Sequence, residues 1–137
     1  MEFKSINPYN GKELQTFTAH SKEDVDAILK KADTAFKNGK DISVGKRSKF
    51  MMNAAELLKK NTDKYARTIS LEMGKPISEA RGEVKKCAWV CEFYAENAED
   101  FLADEIIKTD ASESFISYDP LGCILAIMPW NFPFWQV

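Results

Sequence analysis

The sequence predicts an α/β fold, and three observations predict it. Residues Cys123 to Met128 form an unbroken apolar run without alternation, bounded by Gly122 and Pro129. A run of that length with those borders suits a strand buried on both faces, as in a parallel sheet. Upstream, four segments between residues 22 and 103 carry apolar side chains at helical spacing. A stiff turn, Pro129-Trp130-Asn131-Phe132-Pro133, follows the apolar run, at the place where open α/β sheets bind ligands, beyond the carboxyl ends of their strands. A buried strand needs neighbouring strands, and no second run of this kind occurs among the 137 residues. The chain is therefore expected to be the front part of a longer protein.

Taken in order, residues 3–18 predict strand, turn and strand. Asn7-Pro8-Tyr9-Asn10-Gly11 is dense in turn formers, since Pro presets φ and Asn-Gly tolerates positive φ. A loosely attached amino-terminal arm is the competing reading. Ser21, followed by Lys22-Glu23-Asp24, suits an N-cap with an acidic first turn. Val25, Ile28, Leu29, Ala32, Ala35 and Phe36 then repeat at helical spacing, up to Asn38-Gly39. A second helix is expected from about Val44 to Lys60, with Met51, Ala54, Leu57 and Leu58 on its apolar stripe. Thr62-Asp63 opens a third, short helix that Gly74 stops, and Pro76 suits the first turn of the next. In that fourth helix Ile77, Ala80, Val84, Cys87, Cys91, Tyr94, Ala98 and Phe101 alternate in steps of three and four. Carried to about Ala103 it would be roughly 40 Å long, as wide as a compact domain of the whole chain. Its small stripe residues favour close packing on a neighbour over a coiled coil. Residues 105–113 read as polar and turn-like, and Phe115 to Asp119 as a strand at a sheet edge.

Composition excludes several classes. With 19 basic and 21 acidic residues, net charge −2, there is no basic excess for a nucleic-acid partner. Cys123 to Val137 is largely apolar but holds two prolines and Asn131, and falls short of the roughly 20 apolar residues a membrane span needs. The amino terminus has no apolar signal region, so a cytoplasmic setting with reduced thiols is expected. Cys87 and Cys91 share a helix face, but the only histidine, His20, is remote, and no metal site is expected. Cys123 adjoins a run expected to be buried, which is no setting for a reactive thiolate. The six glycines never cluster into a phosphate-binding loop.

The turn after the apolar run carries the candidate chemistry. Met128 and Phe132 each precede a proline, which disfavours helical geometry at both. Asn131 is a neutral donor among aromatic rings. Its side-chain amide suits stabilisation of a developing oxyanion, and equally suits a turn residue that bonds its own backbone. Trp130, Phe132, Phe134 and Trp135 suit a pocket wall or plain core.

Residues Pro120-Leu121-Gly122-Cys123-Ile124-Leu125-Ala126-Ile127-Met128-Pro129-Trp130-Asn131-Phe132-Pro133 closely resemble the P-x-G…P-W-N-F-P signature of the NAD(P)-dependent aldehyde dehydrogenase superfamily. Asn7-Pro8-Tyr9-Asn10-Gly11 resembles its N-P-x-x-G opening, and Glu72-Met73-Gly74-Lys75-Pro76 its E-x-G-K-P turn. Phe134-Trp135-Gln136-Val137 is similar to the succinate-semialdehyde dehydrogenase branch. The resemblance implies a fold made of helices, the first strand of a Rossmann-like parallel sheet and part of a β oligomerisation arm. It divides the chain into 1–102, the start of the cofactor-binding domain; 103–120, the arm that pairs with another subunit; and 121–137, the first strand and its turn. It implies Asn131 as the oxyanion-hole amide. Ile127, Met128, Pro129 and Trp130 would contact NAD or NADP, and Phe132, Trp135 and Gln136 would face the substrate tunnel. The implied reaction is oxidation of a small aldehyde, such as succinate semialdehyde, to its acid through a cysteine thiohemiacetal, in a homodimer or homotetramer. The nucleophilic cysteine and the glutamate base are expected beyond Val137, so the chain alone is expected to be inactive. The competing reading is a truncated, non-catalytic helical interaction module.

Overall fold

Asn7 closes the first hairpin three ways. Its N–H donates to the Lys12 carbonyl at 2.9 Å, its carbonyl accepts from the Gly11 N–H at 2.8 Å, and its side chain accepts from the Tyr9 N–H at 2.9 Å. The result, in a computed structural model that describes all of residues 1–137, is an antiparallel pair: β1 (Glu2–Ile6) against β2 (Glu13–Thr18), with a bulge between Ser5 and Ile6. The hairpin reading holds, and Asn7 at its turn is buried.

Helix α1 (Lys22–Gly39) starts at a capping box. The Ser21 hydroxyl accepts from the Asp24 N–H, and the Asp24 carboxylate accepts from the Ser21 N–H, which satisfies two otherwise orphaned donors. Its apolar residues Val25, Ile28 and Leu29 stay exposed. Near its end the helix meets the rest of the chain where the Phe36 ring lies beside Gly122 and where Arg47 donates to the Gly39 and Lys40 carbonyls.

Three helices make the body: α2 (Val44–Lys60), α3 (Thr62–Met73) and α4 (Ile77–Phe101). Both α2 and α3 pack on α4. The core comprises Ala66 and Ile69 of α3 with Ala80 and Val84 of α4, rimmed by Leu58, Tyr65, Met73 and Phe134. Small residues at this crossing let the backbones approach closely. The stripe expected for α2 holds in part: Leu58 packs against the core on the side of buried Ala55 and Ala54 is half-buried, but Leu57 faces solvent. Leu57 lies about 200° around the helix from Ala55 at 3.6 residues per turn. In α4 only the first part of the expected stripe is covered. Ala80, Val84 and Cys87 are buried, whereas Tyr94 and Phe101 join Phe93 and Trp89 in an exposed aromatic cluster.

Gly74 ends α3 in the left-handed region, φ +77, with its N–H on the Ser70 carbonyl. A Cβ there would lie 3.1 Å from Cγ of Pro8. The Asn7-Pro8 turn and the Gly74-Lys75-Pro76 turn, far apart in sequence, thus touch.

After α4, Glu105–Ile106 forms β3, paired with β4 (Phe115–Ile116) in a short antiparallel hairpin. This corrects two expectations: the start of residues 105–113 is strand rather than turn, and the strand expected over Phe115 to Asp119 pairs at only its first two residues. The larger correction concerns Cys123 to Met128, which form no ladder and are not buried. Leu125 is 86% and Ile127 83% exposed. Strand pairing is a property of partners, and these residues have none within the chain. The mixed helix-and-strand character holds, but the parallel sheet is not completed here. Accordingly the chain exposes 10939 Å², where a closed monomer of its mass would expose about 7,200 Å².

Candidate functional site

The last residues return to the helices as a turn spanning Trp130 to Gln136. Three kinds of contact hold it. Phe134 enters the rim of the α3–α4 core, its ring centroid 5.5 Å from that of Tyr65. Glu83, on the buried face of α4, accepts through Oε1 from the backbone N–H of Phe134 at 3.1 Å and of Trp135 at 3.3 Å. The other oxygen of Glu83 is paired with Lys75, whose Nζ also donates to the Asn131 carbonyl at 3.0 Å. The two side chains retain only 9% and 3% of their exposure. Charges taken out of water are tolerated when paired and fully hydrogen-bonded, and here the partners are backbone groups of the turn. Cations complete the frame. Lys75 Nζ sits 4.1 Å from the Phe132 ring centroid, and Lys86 Nζ 3.8 Å from that of Trp135, within cation–π range.

The backbone of the turn is therefore tied down while the Trp130 and Asn131 side chains remain exposed. Asn131 is exposed, and its side-chain amide makes no bond to its own backbone. Of the two roles the sequence allowed it, the self-bonded turn residue is not the one adopted. Trp130 is 76% exposed and borders a groove with Pro8, Met73 and Phe134. Trp135 and Gln136 line a second groove of about 910 Å³ together with Met51, Leu58, Cys87 and Tyr94. Phe132 lies against Lys75 and lines neither groove. Ile127, Met128 and Pro129 belong to a segment, 121–129, that makes no backbone hydrogen bond within the chain. The structure thus brings Trp135 and Gln136 together in one groove and leaves Ile127, Trp130 and Asn131 exposed outside it.

The cysteines occupy distinct settings. Cys87 lines the larger groove, and burial, reinforced by the nearby Glu83 charge, pushes its thiol up to about 11. Cys91 is shifted up as well, mainly by burial. Both are poor thiolates at neutral pH. Cys123 is exposed. No His, Cys, Asp and Glu group of three or more is arranged to hold a metal ion, and no helix is long and apolar enough to cross a membrane.

Two residues central to this geometry, Lys75 and Glu83, are absent from the candidates read off the sequence. A signal was available. Glu83 falls between Ala80 and Val84 on the apolar stripe of α4, and a carboxylate on a buried face demands a partner.

The family model described as "Aldehyde dehydrogenase family" matches residues 1–137. A Synechocystis protein described as a probable succinate-semialdehyde dehydrogenase (NADP+) is 50% identical over 137 residues, covering 100% of this chain and 30% of that protein. A Mycobacterium tuberculosis succinate-semialdehyde dehydrogenase (NADP+) 1 is 42% identical over 139 residues, covering 99% of this chain and 30% of its own length. Among solved structures, succinic semialdehyde dehydrogenase from Streptococcus pyogenes, in complex with NADP+, superposes with a TM-score of 0.93 at 32% identity. That match covers 98% of this chain and 30% of the other. The chain spans about 30% of the length of the curated relatives it matches.

Proposed function

This chain belongs to the aldehyde dehydrogenase family, and from that premise we propose that it is the amino-terminal segment of an enzyme that oxidises a small aldehyde to its carboxylic acid. The observation that carries the reading is the fixed turn with its open amide. The backbone from Asn131 to Trp135 is tied to α4 and to Lys75, while the Asn131 side chain is left free. An amide held in place before reaction stabilises an oxyanion at no cost in reorganisation. Asn131 donates to the oxygen that gains charge when a nucleophile adds to the aldehyde carbonyl. Phe132, Trp135 and Gln136 shape the approach to it.

Succinate semialdehyde is the proposed substrate and NADP the proposed cofactor, on the names of the relatives, with NAD as the alternative. Residues 127–130 suit a dinucleotide: Ile127 and Trp130 are exposed, and the backbone donors and acceptors of 121–129 are unengaged. When bound, the cofactor supplies the electron acceptor for the oxidation. We assign 1–102 to the start of the cofactor-binding domain and 121–137 to its first strand and turn. Residues 103–120 are assigned to the arm that pairs with another subunit of a homodimer or homotetramer. The exposed Ile106, Phe115 and Ile116 of β3 and β4 support that role, since a short hairpin with unpaired edges invites a strand from another chain. The proposed setting is the cytoplasm.

Asn131→Ala in the enzyme that carries this segment tests the assignment. With chemistry limiting the rate, kcat should fall about 10²–10³-fold, the range for losing one oxyanion donor. A near-normal kcat removes Asn131 from the role. The 137-residue chain alone should oxidise no aldehyde, because Cys87 and Cys91 are poor thiolates and the family resemblance puts the nucleophile on none of its three cysteines. The exposed aromatic cluster of Trp89, Phe93 and Phe101 favours a second reading, a non-catalytic interaction module. A soluble, cooperatively melting, defined oligomer of the chain supports that reading. Open-ended association rising with concentration, followed by light scattering, counts against it.

A further inference from the structure

We propose that the buried Lys75–Glu83 pair is a positioning device for the turn that carries Asn131. The inference rests on the reading of Asn131 as the oxyanion donor. Both reach the turn through its backbone groups, and Lys75 also through the Phe132 ring.

Each carboxylate oxygen of Glu83 has a separate duty: one faces Lys75, the other accepts two consecutive N–H groups, those of Phe134 and Trp135. Lys75 divides its donors between Glu83 and the Asn131 carbonyl, and places its charge over the Phe132 ring. Five consecutive residues of the turn, 131–135, are thus bracketed by contacts that begin on one buried ion pair. An ion pair this deep is a weak source of net stability, because desolvation offsets the attraction. Its value lies in direction, since charged hydrogen bonds fix the partner groups more tightly than neutral ones. Lys75 itself is aimed by its neighbours in the chain. It follows Gly74, whose left-handed geometry turns the backbone away from α3, and it precedes Pro76 at the start of α4. The Asn131 side chain makes no bond of its own, so its placement depends on this backbone.

Removing one partner alone would leave an unpaired buried charge and risk unfolding. The test therefore uses the neutral pair Lys75→Met with Glu83→Leu, alongside Lys75→Arg as the conservative variant. In the enzyme that carries this segment, hydrogen exchange is read at the Phe134 and Trp135 amides. The neutral pair should speed exchange there about 10–100-fold, as expected for losing a bond to a charged acceptor, while the amides of α3 change little. Unchanged exchange at those two amides overturns the proposal whatever the kinetics show. In the enzyme that carries this segment, the neutral pair should lower kcat about 10–100-fold with a smaller effect on KM, and Lys75→Arg should retain most of the rate. Adding Asn131→Ala to the neutral pair should cost no more than Asn131→Ala alone, because nothing is left to position. Fully additive losses would show a general structural role and overturn the proposal. Should Asn131→Ala by itself leave kcat intact, the oxyanion reading fails, and the exchange measurement still decides whether the pair holds the turn.

Discussion

Replacing Gly74 with alanine offers a measurement in which two glycines of one helical unit should respond with opposite sign. Gly74 has φ +77, and an added Cβ would stand 3.1 Å from Cγ of Pro8. Left-handed geometry costs an L-residue about 1–2 kcal/mol. The contact adds to this, because Pro8 is held by the bonds of Asn7 on one side and Tyr9 on the other and cannot simply swing away. A total of about 2–3 kcal/mol is expected. Gly82 lies within α4 with open space around its Cβ position, so Gly82→Ala should stabilise by about 0.5–1 kcal/mol. Urea unfolding of the chain at low micromolar concentration, followed by far-ultraviolet circular dichroism, reads both. With a slope of about 2 kcal/mol/M, the Gly74→Ala midpoint falls by roughly 1 M and the Gly82→Ala midpoint rises by a few tenths. In a Pro8→Ala background the Gly74→Ala penalty should shrink to the backbone part alone, about 1–2 kcal/mol. A Gly74→Ala midpoint at or above the unmodified one would refute the conformation assigned to this turn and its contact with Pro8.

Other outcomes follow from the same structure. Val84→Ala removes two buried methyl groups at the centre of the core and should cost about 2–3 kcal/mol by urea titration. A thiol reagent at neutral pH should label exposed Cys123 well ahead of Cys91 and Cys87, as mass spectrometry of timed samples would show. The fold favours the protonated Cys87 thiol, so that contribution is intact below its ordinary value of 9.0 and is lost as pH climbs to about 11. Cys87→Ala should flatten the decline in urea midpoint across that window. At the opposite extreme, the Ser21 backbone N–H, then its hydroxyl, holds the Asp24 carboxyl below its usual range. Its help to α1 is present at neutral pH and is lost as pH falls through that lowered value, which exchange at the first-turn amides would report.

Local chemistry was readable and partnership was not. Ser21, Gly74 and Pro76 act through neighbours one to four residues away, and the ends of α1, α3 and α4 follow from them within a residue or two. The hairpin at Asn7-Pro8-Tyr9-Asn10-Gly11 was legible for the same reason. On α2, Leu57 was placed on the covered stripe and Ala55 was not, because apolar character alone does not say which residue a neighbouring helix will cover. Glu83 was passed over because periodicity counts apolar positions and skips an acid on the same face. Cys123 to Met128 show the limit most clearly. Six apolar residues in a row state that burial is required, but the burying surface comes from strands elsewhere, and without them Leu125 and Ile127 face water. The motif around Asn131 could be located by resemblance. That its turn would be tied to Lys75 and to Glu83, 56 and 51 residues earlier, could not.

Those long separations have a consequence during synthesis. Helices α2, α3 and α4 all precede Phe134 in the chain, and α2 and α3 pack on α4, so their packing can form before the turn is made. At roughly 5–20 residues added per second, about 3–10 s pass between the appearance of Glu83 and that of Phe134. Throughout that interval the carboxylate oxygen that will receive the Phe134 and Trp135 amides is served by water, and the rim of the core lacks its aromatic ring. The newly made helices thus present a template with a gap of fixed shape, and the turn is placed last, onto a surface that already exists.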